Sequence, residues 1–128
     1  MEISEYQEQL SAADAKIGER LQALIAECVP EAMGKVWHGH PVWFINQNPV
    51  VGYSLKKAGI EVLFWSGQSF GHTGLRAIGK FKAAGFAIAS LPELDEVQLR
   101  SWLEEAKEIQ WDYANLPKKR TLEKLTNF

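Results

Sequence analysis

The chain has 128 residues, 46% of them hydrophobic, 23% charged and 11% aromatic, proportions that fit one globular domain and leave little room for two. A single cysteine, Cys28, excludes an internal disulfide and fits a reducing compartment. No stretch approaches the ~18 apolar residues of a membrane span, and the opening residues Glu2, Glu5 and Glu8 do not resemble a signal peptide, so the sequence reads as cytoplasmic.

In chain order, Ser4 with Gln7 predicts a capping box for a short opening turn, and Ser11 with Asp14 restarts helix. Ile17, Leu21, Leu24, Ile25 and Cys28 then share one stripe of an amphipathic helix that ends near Val29, where Pro30 closes it. The period changes after that. Residues 35–38, 41–46, 50–56 and 60–65 are short runs rich in Val, Ile, Trp, Phe and Tyr, separated by turn signals too brief for helical crossovers. They predict an antiparallel meander in which Ile60, Val62 and Phe64 share one face and Glu61, Leu63 and Trp65 the other.

Residues 66–85 carry Gly67, Gly71, Gly74, Gly79 and Gly85 and read as a long ordered loop with a turn of helix around Leu75 and Ile78, before a fifth strand at 86–89. Asp95 with Gln98 caps a second helix whose core stripe is Leu99, Trp102, Leu103, Ala106, Ile109 and Tyr113. Residues 117–128, with Lys118, Lys119 and Arg120, read as a flexible basic tail on a single domain spanning 1–128. Helices segregated from strands give an α+β fold: a two-layer arrangement with an antiparallel sheet of about five strands and the N- and C-terminal helices on one face.

Charge follows this division. Residues 1–33 hold seven acids and two bases, and 92–113 hold the same numbers, whereas 34–91 hold six bases, one acid and nine of the fourteen aromatics. The molecule is polarised, but its net charge of -2 speaks against nucleic acid as a partner.

Two motif matches fail on physical grounds. Residues 67–71 spell GxSxG, yet the acid and the later histidine of a hydrolase triad are missing, since His72 is the last histidine and precedes every later acid. Residues 74–80 spell GxxxxGK, but Phe81 stands where a phosphate loop needs the hydroxyl that holds magnesium. What survives is a loop whose Ser66, Gln68, Ser69, His72, Lys80 and Lys82 offer donors and cations to an anion. His38 and His40 sit two apart, but Gly39 and Pro41 argue for a turn instead of a metal pair. Trp37, Trp43 and Trp65, with Phe44, Phe64 and Tyr53, exceed what one face of a short sheet needs. Either the second face receives a partner or ligand, or the 66–85 loop covers it.

The segments at 36–44, 48–53, 64–70, 79–84 and 109–113 resemble, in the same order, the YdhG-like domains of unknown function. The resemblance implies a small bacterial cytosolic α+β domain and carries no catalytic motif over. Some relatives are described as frataxin-like iron chaperones, so it also implies an alternative in which Asp14, Glu19, Glu27 and Glu31 hold iron weakly.

The expectation is therefore a non-enzymatic binding module without a resident cofactor. Its ligand-binding residues are Trp43, Trp65, Ser66, Gln68, Ser69, His72, Lys80 and Lys82, and its partner is a protein or a small anion. A homodimer through the sheet face stays open, and an enzyme of unknown chemistry is the remaining alternative.

Overall fold

A computed structural model describes residues 1–126 of the chain. In order, the elements are α1 (Ile3–Glu8), α2 (Ala12–Cys28), β1 (Met33–Trp37), β2 (His40–Ile45), β3 (Asn48–Lys56), β4 (Gly59–Phe64), β5 (Arg76–Ala77), β6 (Ala84–Ile88), α3 (Glu96–Glu108) and α4 (Leu116–Lys119). The strands form one antiparallel sheet in the order β1-β2-β3-β4-β6-β5. The fold is the expected α+β arrangement, with the sixth strand, β5, at the edge.

Local chemistry explains the meander. His38 and Gly39 both have positive φ, as do Asn46 and Gln47, the two-residue turn geometry whose twist matches flanking strands. His38 therefore points out from a turn while His40 begins β2, so the two histidines do not share a strand face. Trp43 pairs with Val51 and Phe44 with Pro49, so Val50 is an extra residue that marks a bulge in β3.

The helices cover one face. Ile60, Val62 and Phe64 on β4, Val51 and Tyr53 on β3, and Trp43 on β2 are buried there with Ile17, Leu21, Leu24 and Ile25 of α2 and Leu99, Trp102 and Leu103 of α3. Tyr53 packs against Gly18, where any side chain would meet its ring, and its hydroxyl accepts from Gln7 Nε2 at 3.0 Å. Burial pushes the Tyr53 phenol up to about 12. Ion pairs Arg20–Glu96 and Arg100–Glu27 tie α2 to α3 and show the two helices running the same way. Ser11 and Asp95 cap α2 and α3 as their spacing predicts, each accepting from the backbone three residues on.

Four local expectations are corrected. The opening helix is capped at Glu2, whose N–H donates to Glu5 Oε1 at 2.9 Å, not at Ser4. Arg76 and Ala77 are a short strand paired with Gly85 and Ala84, not a helical turn, because the edge of β6 offers them a ladder. The α3 helix stops at Glu108, so Ile109 and Tyr113 leave its stripe. The segment expected as a tail forms α4 and then returns beside 110–112, with Leu125 N–H donating to the Gln110 carbonyl and Asp112 N–H to that of Glu123. Positions 127 and 128 of that segment lie outside the described residues.

Trp43 is 5% exposed and stacks on Tyr53 with ring centroids 6.1 Å apart. Trp43→Ala should lower the unfolding free energy by about 3–5 kcal/mol, and Trp37→Ala, on the opposite face, by about 1 kcal/mol. Urea melts of the two variants check this, and equal losses would contradict the assignment of faces.

Candidate functional site

The second face of the sheet is built from the alternate residues. Register pairs Met33 with Phe44, Lys35 with Val42 and Trp37 with His40, so all six side chains point away from α2 and α3. Trp65, just beyond β4, joins them because Gly52 leaves room: a Cβ there would lie 3.3 Å from the Trp65 ring. The Trp37 ring stands 5.4 Å from Phe44 and 6.4 Å from Trp65, centroid to centroid. Val42 is fully buried beneath these rings although neither long helix lies over it. His40 Nδ1 is buried without a hydrogen-bond partner, and burial lowers the His40 pKa.

Beside this aromatic cluster runs a groove of about 820 Å³. Its floor is Trp37, Phe44 and Pro49; one rim is the edge strand, with Met33 and Lys35, and the other is Tyr113 and Pro117. Apolar walls with few charges suit apolar side chains of a ligand or partner.

The far rim is held by one buried amide. Asn48, 3% exposed, donates from Nδ2 to Gln110 Oε1 at 3.0 Å and to the Trp111 carbonyl at 2.9 Å, and its Oδ1 accepts from Ala114 N–H at 2.9 Å. An asparagine has donors and an acceptor to clamp a strand to an irregular segment in this way. Asp112 accepts from Asn115 and shapes the following turn, and Tyr113 bridges to the loop by accepting from Lys82 N–H at 3.0 Å. Burial raises the Tyr113 phenol, against that hydrogen bond.

The glycine-rich loop is pinned to α3 and the 110–113 segment, and it reaches the second face at the β6 end of the sheet, where Arg76 pairs with Glu61 and Ile78 lies beside Gly85. Ser66 is buried and accepts from Trp111 N–H, while Ser69 accepts from Trp111 Nε1, both at 2.9 Å. Gln68 donates to the Ala83 carbonyl. Lys82 lies over the Trp111 ring at 4.7 Å and Lys80 over Phe81 at 5.4 Å. His72 Nδ1 lies 2.7 Å from Glu105 Oε2, and Glu105 also accepts from the N–H groups of Gly71 and His72. A second hollow of about 370 Å³ beside Gln68, His72 and Thr73 contains neither lysine.

Of the residues expected to bind a ligand, Trp43 belongs to the helix-side core and Trp65 backs the aromatic cluster. Ser66, Gln68, Ser69, His72 and Lys82 tie the loop down, and Lys80 stands apart from both hollows. A histidine oriented by a carboxylate is part of a nucleophile-activating set, but among the described residues no hydroxyl or thiol is hydrogen-bonded to His72. The GxSxG serine is engaged by Trp111, and the GxxxxGK segment runs through β5 as extended chain. Sequence reasoning missed the Asn48 clamp and the groove rim at 113–117. The Gln-Trp-Asp-Tyr run after α3 was a usable signal for the rim, since such residues seldom end a helix without packing onto something.

Among the described residues no helix is long and apolar enough to cross a membrane, and no group of three or more His, Cys, Asp or Glu side chains is placed to hold a metal ion. A scan against protein-family models and searches of the curated proteins and of the solved structures found no match.

Burial pushes the Glu105 carboxyl up, but the hydrogen bonds from Gly71 and His72 outweigh it and hold the group below its ordinary 4.5. A depressed carboxyl stabilises the fold fully above its unfolded value and loses that contribution as pH falls through its folded one. The amide protons of Gly71 and His72 should therefore show an acidic titration step with a midpoint below 4.5, removed by Glu105→Gln. A midpoint at or above that value in the NMR spectrum would contradict the clamp.

Proposed function

We propose that the chain is a non-enzymatic binding module that receives a partner protein on the second face of its sheet. The observation that carries this reading is the aromatic face itself: Trp37, Phe44 and Trp65 cover Val42 with no long helix above them and border a groove whose walls are mostly apolar. Apolar surface arranged in a concavity and rimmed by charges favours association over bare hydration. The glycine-rich loop supports that surface through Ser66, Ser69 and Lys82, so a small anion at the loop has less in its favour than a protein at the groove.

The proposal includes the YdhG-like resemblance and a cytoplasmic location, for which the support is the order of sequence segments and the lone cysteine. In the iron-holding alternative, Glu27 is engaged by Arg100 at 3.0 Å, and Asp14, Glu19 and Glu31 are left to hold the metal. The partner-binding reading is favoured because its surface is assembled by packing.

A photoreactive benzoylphenylalanine replacing Phe44 should form a discrete protein adduct in cells, lost when Trp37→Ala is added. The same group replacing Ala26, on the exposed side of α2, should not form it. No adduct at position 44, or the same adduct from position 26, would overturn the reading.

A further inference from the structure

We infer that β1 accepts an extended segment of the partner protein as a further strand of the sheet, and that this segment carries an acidic residue between two aliphatic ones. The inference rests on reading the second face as a binding surface and specifies what form the partner takes there.

Backbone geometry supplies the first half. The two-residue turn at His38 and Gly39 is closed by the Trp37–His40 pair, and residues flanking such a turn exchange hydrogen bonds with each other. Alternation then turns the N–H and C=O groups of Gly34 and Val36 away from β2. Among the described residues nothing else pairs with them. The opposite edge of the sheet is β5, only two residues long, which is itself a way of blunting an edge. β1 is five residues long, contains no proline and pairs with β2 in continuous register. An incoming strand would satisfy four backbone groups that are otherwise left to water.

Side chains supply the second half. Partner residues opposite Met33, Lys35 and Trp37 share the second face with them. Met33 is 77% exposed and lines the groove with Trp37, which favours aliphatic residues at the outer two positions. Lys35 lies over the Phe44 ring at 4.8 Å and, among the described residues, makes no ion pair, so the central position favours a carboxylate. Among the described residues, Lys35 is the only base lining the groove, and the one acid there, Glu31, precedes β1 in the chain. A second copy of the chain fits less well. Antiparallel pairing of β1 with itself over its whole length sets Lys35 directly against Lys35, and like charges so placed are destabilising.

The test is selection of a phage-displayed library of random nine-residue peptides on the full-length protein, with counter-selection on Trp37→Ala. Enriched sequences should share the aliphatic-x-acid-x-aliphatic pattern, and the best one, synthesised, should slow hydrogen exchange at the Gly34 and Val36 amides. N-methylation of the peptide amides that face β1 should weaken binding about tenfold or more, while methylation of the alternate amides should leave it unchanged. Lys35→Glu should transfer preference to the peptide with lysine in place of its acid.

Absence of enrichment, or binding without protection of Gly34 and Val36, would overturn strand addition. In either case a Trp37-dependent adduct at position 44 would leave the broader surface reading standing. Protection of those two amides by protein concentration alone, with dimers in sedimentation, would overturn the peptide in favour of a second copy.

Discussion

Two long helices can cover only one face of this sheet, and that packing limit decides where everything else goes. Gly18 lets α2 settle directly on Tyr53, the Arg20–Glu96 and Arg100–Glu27 pairs keep α3 alongside, and the Ile60, Val62 and Phe64 side chains are sealed beneath them. The exposed ion pairs contribute little individually; burial of the apolar stripes stabilises the packing far more. With both helices committed, the β1–β2 part of the opposite face is covered mainly by its own rings. Trp37, Phe44 and Trp65 provide that cover by leaning over Val42 and the vacancy left at Gly52.

The loop and the C-terminal segment answer the same problem from the side. Residues 110–114 are irregular yet partly buried, so their polar groups need partners; Asn48 and Ser66 provide them. That clamp places Tyr113 across from Phe44 and turns a flat face into a groove. Glu105 performs a similar service for the loop by gathering the Gly71 and His72 amides. The acidic helices and the basic middle segment thus divide the molecule chemically as well as structurally, with Lys35 on the side away from the helices.

Much of the architecture was legible because it depends on local chemistry. Alternation at 60–65, the turn residues at 38–39 and the caps at Ser11 and Asp95 each act within a few residues. The site was less legible because it depends on distant pairs. Nothing near Trp43 in sequence distinguishes it from Trp37; only the register of β2 against β1 sends one to the core and the other to the opposite face. Ser66 and Ser69 look like ligand donors in a glycine-rich stretch, and what engages them is Trp111, more than forty residues later. β5 escaped notice because two residues cannot show a period.

Hydroxyl-radical footprinting of the native protein, resolved residue by residue, tests the openness of the second face most directly. Met33, Trp37 and Phe44 should oxidise readily while Trp43 and Trp102 stay protected until the protein unfolds. Protection of Trp37 and Phe44 equal to that of Trp43 would contradict an open aromatic surface.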